Sequence, residues 1–133
     1  MQKEDARAKI LIVDDDIGAR ESLEHLLLDY YDVVVCKSFD EASKSLENDD
    51  FDLAVIDVRL THTDSFNVDG LRVLQEFIQK KTKTLTIVIT AYQDGLRTNI
   101  FDRIKPDLVL TKGKWFDPKE FKERIAELLQ TRK

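Results

Sequence analysis

The segment ILIVDDD, residues 10 to 16, places four consecutive apolar side chains directly before three acidic ones. Four apolar residues with no polar residue between them predict a strand that is covered on both faces. FDLAVID, residues 51 to 57, repeats this arrangement, because its apolar run ends in Asp57. Two buried strands that each end in acid predict a parallel sheet with carboxylates gathered at one edge.

Further apolar runs predict three more strands, and amphipathic stretches between the runs predict helices. The strand candidates are Val33 to Cys36, Leu85 to Ile89 and Leu108 to Leu110, after Ile10 to Val13 and Leu53 to Ile56. Five helices follow from apolar residues at helical spacing, namely Ala19, Leu23, Leu26 and Leu27; Ala42 and Leu46; Leu71, Leu74 and Ile78; Leu96, Ile100 and Ile104; Phe121, Ile125, Leu128 and Leu129. Ser38 with Glu41, and Asp117 before Pro118, predict N-terminal caps for the second and fifth helices. The predicted fold class is α/β, a doubly wound five-stranded parallel sheet with helices on both faces.

Composition limits the protein to a few classes. The chain has 133 residues, enough for a single domain over 1–133, with residues 1–8 expected to form a flexible N-terminal extension. A net charge of -5 argues against direct nucleic-acid binding. Cys36 is the only cysteine, and no apolar run approaches a membrane span. We therefore expect a cytoplasmic protein with no membrane insertion.

The expected chemistry lies at the edge where the strands end. Asp14, Asp15 and Asp57 meet there if the first and third strands are neighbours, and closely spaced carboxylates favour a bound divalent cation. Oxygen ligands of this kind indicate Mg2+. Thr90 and Lys112 follow the fourth and fifth strands, so a hydroxyl and an ammonium reach the same edge. Such a site can neutralise a phosphoryl group during transfer to a carboxylate.

The segments ILIVDDD, FDLAVID, TIVITA and LVLTK, in this order, resemble response-regulator receiver domains from Lys9 to about Leu129. The resemblance implies the flavodoxin-like receiver fold and a Mg2+-dependent phosphoryl transfer. It implies direct metal binding by the second acid of the first pair and binding through water by the first. The implied roles are phosphoryl acceptor for Asp57, phosphoryl contacts for Thr90 and Lys112, and metal binding for Asp14, Asp15, Asp57 and the backbone carbonyl of Arg59.

Three departures from the family pattern stand out. The path from Val58 to Val68 is longer than usual and lacks the Met-Pro pair of the family. Gly113 follows Lys112 where the family has proline, so a trans peptide is expected there. Val109 replaces the aromatic residue that changes rotamer in many family members.

Several residues have simpler interpretations. Asp16 is expected to cap the first helix, although capping alone could also account for Asp14 and Asp15. Cys36 is expected to be a small core residue. His25 is expected to be a surface or partly buried residue of the first helix rather than a phosphoryl carrier, and His62 to be a solvated loop residue.

The implied function is a phosphorylation switch rather than an enzyme, although such a domain can catalyse its own phosphorylation and dephosphorylation. A sensor histidine kinase or a phosphotransfer protein would supply the phosphoryl group, and an unidentified downstream protein would receive the signal. Two alternatives stay open. One is a pseudo-receiver that binds partners without phosphorylation; the other is a haloacid-dehalogenase-like phosphatase with Asp14 as nucleophile.

Overall fold

The computed structural model describes residues 7–14, 16–57, 75, 78–80, 83–90, 105–111 and 117–131, and for four of these only the backbone: Phe39, Leu46, Thr90 and Thr111. All five predicted strands are present, including the short fifth. They are β1 (Lys9–Val13), β2 (Asp32–Cys36), β3 (Leu53–Asp57), β4 (Leu85–Thr90) and β5 (Leu108–Thr111).

The strands form one parallel sheet in the order β2-β1-β3-β4-β5. This order is that of the flavodoxin-like doubly wound sheets, in which the order of the strands reverses at a switch point between β1 and β3. The predicted adjacency of the first and third strands is confirmed, because β1 pairs with β3 from Ile10 opposite Leu53 to Val13 opposite Ile56.

Three helices lie wholly within the described residues: α1 (Ile17–Leu27), α2 (Phe39–Asn48) and α3 (Pro118–Thr131). Gln75 and residues 78–80 are also helical, as predicted for the third helix of the sequence. The fourth predicted helix, with Leu96 and Ile100, lies outside the described residues. None of the helices in the described part of the chain is both long and apolar enough to cross a membrane.

The predicted N-terminal caps are confirmed. The Ser38 side chain accepts a hydrogen bond from the Glu41 backbone N–H, and Asp117 Oδ1 accepts one from Lys119 N–H at 3.0 Å. In the capping box, Glu41 Oε1 accepts from the backbone N–H of Lys37 rather than from that of Ser38. Each cap satisfies N–H groups that a helix start leaves without an intrahelical partner.

Both faces of the sheet are covered, as its consecutive apolar residues require. Alternate strand residues such as Ile12, Val55 and Ile89 form one core cluster, which packs against Leu27 of α1 and Phe121 of α3. The helix α2 covers the opposite face, where the Cys36 Sγ lies 3.5 Å from the Ser45 Oγ. The prediction that Cys36 is a core residue is confirmed, since it is 3% exposed.

Two aspartates join neighbouring strands at the edge where the strands begin. Asp52 Oδ2 accepts a hydrogen bond from the Lys9 backbone N–H at 2.7 Å, and Asp52 N–H donates to the Lys9 carbonyl at 2.8 Å. Asp107 binds Thr86 in the same reciprocal way, at 2.8 Å and 3.0 Å. These pairs fix the register of β3 against β1 and of β5 against β4. We call this the amino edge of the sheet, and its opposite the carboxyl edge.

Candidate functional site

The carboxyl edge brings predicted site residues from three strands together. Val13 and Ile56 are register partners, so Asp14 and Asp57, one residue further on, occupy neighbouring positions. Their side chains share a face of the sheet, because Ile12 and Val55, two residues earlier in each strand, belong to the same core cluster. Asp57 in turn pairs with Ile89, directly before Thr90. The edge therefore runs from Asp14 through Asp57 to Thr90.

Asp14 is held by hydrogen bonds to three elements and is 2% exposed. Its backbone N–H donates to the Cys36 carbonyl of β2 at 3.1 Å. Its Oδ1 accepts from the Asp16 backbone N–H at 2.9 Å, and its carbonyl accepts from the Arg20 guanidinium at 2.9 Å. The orientation of this acid is thus set by β2, by its own turn and by α1.

Asp16 caps α1, as predicted. Its Oδ2 accepts a hydrogen bond from the Ala19 backbone N–H at 2.8 Å, and the residue itself is exposed. Its carbonyl accepts from the Arg20 backbone N–H at 2.9 Å. The three successive acids therefore have different environments, and the outermost is accounted for by helix capping.

Asp57 ends the most deeply buried strand of the sheet. The four residues before it, Leu53 to Ile56, are at most 1% exposed, whereas Asp57 is partly exposed. A strand packed on both faces is a rigid support, so the position of this carboxylate is well defined while solvent still reaches it. These are the properties that an acceptor group needs.

Three other predicted site residues, and the side chain of a fourth, fall outside the described part of the chain. Asp15, Arg59 and Lys112 lie outside the described residues, as does the side chain of Thr90. The loop from Val58 to Val68 and the peptide before Gly113 lie outside them as well. Their predicted roles therefore remain predictions. His25, in contrast, is described and is exposed on α1, which agrees with the prediction of a surface or partly buried residue.

The residues present fit a hard divalent cation. Asp14 and Asp57 supply oxygen donors from adjacent strands, and Mg2+ prefers one or two carboxylates together with water. Among the residues that the structure describes, no group of three or more His, Cys, Asp or Glu side chains is arranged to hold a metal. Asp15, the third predicted acid, is not among those residues.

Cys36 lies next to this edge but does not offer a thiolate. Burial raises the pKa of its thiol, the Ser45 hydroxyl lowers it to a smaller extent, and the charge of Glu41 raises it again. The thiol therefore stays protonated near neutral pH. A soft metal or a cysteine nucleophile is not favoured here.

Arg20 contacts the site but was not singled out from the sequence. It lies six residues after Asp14 and four after the cap Asp16, so helical geometry turns its side chain back towards the start of α1. That spacing was the available signal. A single arginine on a helix is too common for the spacing alone to identify a role.

Known proteins resemble this chain in sequence and in fold. The family model for the response regulator receiver domain matches residues 10–126. The alkaline phosphatase synthesis transcriptional regulatory protein PhoP of Bacillus subtilis (strain 168) is 29% identical over 123 residues, which cover 92% of this chain and 48% of that protein. The chain spans about half the length of the curated relatives it matches, between 48% and 51%.

Two solved structures show the same fold. A response regulator receiver domain protein (CheY-like) from Methanospirillum hungatei JF-1 has a TM-score of 0.81 and 24% identity, covering 96% of this chain and 97% of that one. The response regulator protein TrrA from Thermotoga maritima, in complex with Mg(2+)-BeF, has a TM-score of 0.72 and 29% identity, covering 91% and 98%. The family match, which extends from β1 well into α3, and the strand order agree with each other. The chain therefore belongs to the response regulator receiver domain family of two-component signalling proteins.

Proposed function

We propose that this chain accepts a phosphoryl group on Asp57 in a Mg2+-dependent reaction and thereby switches a protein-protein contact. The observation that carries the proposal is the register of β1 and β3, which places Asp14 beside Asp57 at the carboxyl edge. A buried acid next to a partly exposed one suits a pair in which the first binds metal and the second reacts.

The proposed transfer is a displacement at phosphorus. A carboxylate oxygen of Asp57 forms a bond to phosphorus while the bond to the donor's nitrogen or oxygen breaks, and the leaving group keeps that electron pair. Bound Mg2+ would neutralise charge on the phosphoryl oxygens. Asp14, Asp15 and Asp57, with the Arg59 backbone carbonyl, would hold the metal. Thr90 and Lys112 would contact the phosphoryl oxygens.

Asp57 is a better candidate for the nucleophile than Asp14, on which the phosphatase alternative depends. Asp14 is 2% exposed, and its Oδ1 already accepts a hydrogen bond within its own turn. Asp57 ends its strand with part of its surface open to solvent. An attacking oxygen must reach a substrate phosphorus in line, which favours the more accessible acid.

We propose a sensor histidine kinase or a phosphotransfer protein as the donor, contacting the surface beside the carboxyl edge. Ile17, directly after the cap Asp16, is a large apolar side chain that is 62% exposed. A groove of about 800 Å³, whose lining includes Ser22 and Leu26 of α1 and Pro118 of α3, adjoins it. An apolar residue beside a reactive edge suits a partner that must approach closely.

The output that we propose is a contact with another protein. The three curated relatives are transcriptional regulators about twice as long as the chain. The 133 residues carry a net charge of -5, which disfavours direct contact with the negatively charged phosphates of nucleic acid. A contact with another protein is therefore the output we favour for this domain.

The experiment is intact-protein mass spectrometry after incubation with Mg2+ and acetyl phosphate, for the wild type, Asp57→Ala and the control Asp52→Asn. We expect one labile phosphate on the wild type and on Asp52→Asn, none on Asp57→Ala, and none on the wild type after beryllofluoride treatment. Addition that persists in Asp57→Ala would contradict the proposed acceptor. No addition to any form, even with a histidine kinase, would favour the pseudo-receiver alternative.

A further inference from the structure

Arg20 contacts both neighbours of Asp15. Its backbone N–H donates to the Asp16 carbonyl at 2.9 Å, and its Nη1 donates to the Asp14 carbonyl at 2.9 Å. Arg20 itself is partly buried in the first turns of α1. The backbone bond is the ordinary first hydrogen bond of α1, which any residue at this position makes. The side-chain contact with Asp14 is therefore the one that depends on arginine.

We propose that Arg20 is a positioning residue that holds Asp14, at the start of the β1–α1 turn, in an arrangement suited to Mg2+ before the metal arrives. The inference rests on the proposed function, since it assumes that the carboxyl edge binds Mg2+. Arg20 acts through the backbone of Asp14 and touches neither the metal nor the phosphoryl group.

The Asp14 carbonyl lies directly after the last residue of β1, where the strand becomes a turn, and the Arg20 guanidinium donates to it. The backbone N–H of the same residue is tied to Cys36 of β2, and the carboxylate is tied to the N–H of Asp16. The guanidinium supplies a donor to the main-chain carbonyl of the same residue. With it, Asp14 is restrained on its amide, its carbonyl and its side chain.

Loss of the guanidinium contact would leave the turn with more conformations. Binding Mg2+ would then have to order the acids as well as dehydrate the ion, which lowers affinity. Residues that orient metal ligands from outside the coordination shell change affinity by roughly 10-fold to 100-fold when they are replaced. Because Arg20 acts on a backbone carbonyl, we expect the lower end of that range.

An effect of the Arg20 charge and an effect of its contact with Asp14 would change the Mg2+ affinity in opposite directions when the residue is replaced. A guanidinium beside a cation site repels Mg2+, so its removal would tighten binding if charge alone mattered. If Arg20 sets the turn, its removal weakens binding in spite of the lost repulsion. The sign of the change in Kd therefore separates the two roles.

Arg7 provides a matched control. Its guanidinium also donates to backbone carbonyls, those of Leu28 at 2.9 Å and Tyr31 at 3.3 Å, but at the opposite end of α1. Replacing either arginine removes a side-chain clamp from an end of the same helix. Replacing either arginine is expected to lower the free energy of unfolding, but only the replacement of Arg20 is expected to alter the metal site.

The experiment is isothermal titration of the full chain with Mg2+, together with urea unfolding of the same samples, for wild type, Arg20→Met and Arg7→Met. We expect Arg20→Met to raise the Mg2+ Kd roughly tenfold and Arg7→Met to leave it unchanged. At saturating Mg2+, phosphate addition from acetyl phosphate should recover in Arg20→Met, because its defect lies in binding.

An unchanged or lower Kd in Arg20→Met overturns the inference alone, as does an equal increase in Arg7→Met. A wild type that binds no Mg2+ overturns the proposed function, and the inference with it. If Arg20→Met does not fold, Arg20→Leu replaces it as a second variant without a side-chain donor. Weaker Mg2+ binding in Arg20→Leu supports the inference, and equal or tighter binding overturns it.

Discussion

The two edges of the sheet carry the same residue type and use it differently. At the amino edge, Asp52 and Asp107 each accept a backbone N–H from the neighbouring strand, at 2.7 Å and 2.8 Å. At the carboxyl edge, the hydrogen bond to Asp14 Oδ1 comes from Asp16, within its own turn. The amino-edge acids join strands, whereas the carboxyl-edge acids lie side by side.

The direction of the strands explains the difference. Parallel strands expose unpaired N–H groups where they begin, and a carboxylate placed just before a strand can accept from a neighbour. Where strands end, carbonyl groups and helix N-termini converge, and this is where ligands bind in open α/β sheets. An aspartate directly before an apolar strand is therefore well placed to hydrogen-bond a neighbouring strand. An aspartate directly after such a strand is well placed to bind a ligand or to react.

The largest effect is expected at the amino edge, in Asp107→Ala. Thr86 is 1% exposed, and its backbone N–H would lose a charged acceptor, which costs about 2 kcal/mol in the free energy of unfolding. Urea unfolding measures the loss. Asp107→Asn keeps an acceptor oxygen, so its free energy of unfolding should fall clearly less than that of Asp107→Ala.

Phosphate addition from acetyl phosphate should be retained in Asp107→Ala under conditions where the variant is folded. A variant as stable as the wild type would mean that the amino-edge contacts are not structural. A folded variant that no longer accepts phosphate would break the proposed division between the edges.

The fold and the acids of the carboxyl edge could be predicted from the sequence, because both depend on local pattern. The uninterrupted apolar run before Asp57 predicted a buried strand with an acid at its end. The adjacency of Asp14 and Asp57 followed once the first and third strands were assumed to be neighbours.

The structural roles of Asp52, Asp107 and Arg20 could not be predicted in this way. Asp52 and Asp107 act through a backbone N–H on a different strand, so their roles depend on register. Arg20 acts through the Asp14 carbonyl, whose position depends on the path of the turn. A sequence read residue by residue does not contain these distances.

Mg2+ should stabilise the protein through the carboxyl edge only. A ligand that binds the folded state at about ten times its Kd adds about 1.4 kcal/mol to the free energy of unfolding. Urea unfolding with and without Mg2+ should show this increment in the wild type and in Asp107→Asn. It should be absent in Asp57→Asn. An equal increment in all three proteins would place the metal elsewhere.

Without Mg2+, Asp57→Asn should be more stable than the wild type. Neighbouring parallel strands lie about 4.8 Å apart, and two carboxylates near that distance repel by roughly 1 kcal/mol even at the dielectric constant of bulk water. The substitution removes one charge and keeps the shape. Urea unfolding in a chelating buffer is the measurement, and Asp52→Asn, expected to lose stability, is the control. A loss of stability in Asp57→Asn would give Asp57 a structural role like that of Asp107.

The smallest effect concerns Lys105, which leads into Asp107 at the amino edge with a φ of 63°. A side chain in this left-handed region costs about 1 to 2 kcal/mol, while glycine there loses about 0.4 to 1 kcal/mol through the greater freedom of the unfolded chain. Lys105→Gly should therefore stabilise the protein by roughly 0.5 kcal/mol net. Lys83, an exposed lysine before β4, is not among the positive-φ residues that the structure describes, so Lys83→Gly should only destabilise. Thermal unfolding of the two variants side by side tests this pair. If both glycine variants lose stability equally, the backbone at Lys105 is not strained. The hydrogen bonds between Asp107 and Thr86 would then impose no conformational cost on the residues before Asp107.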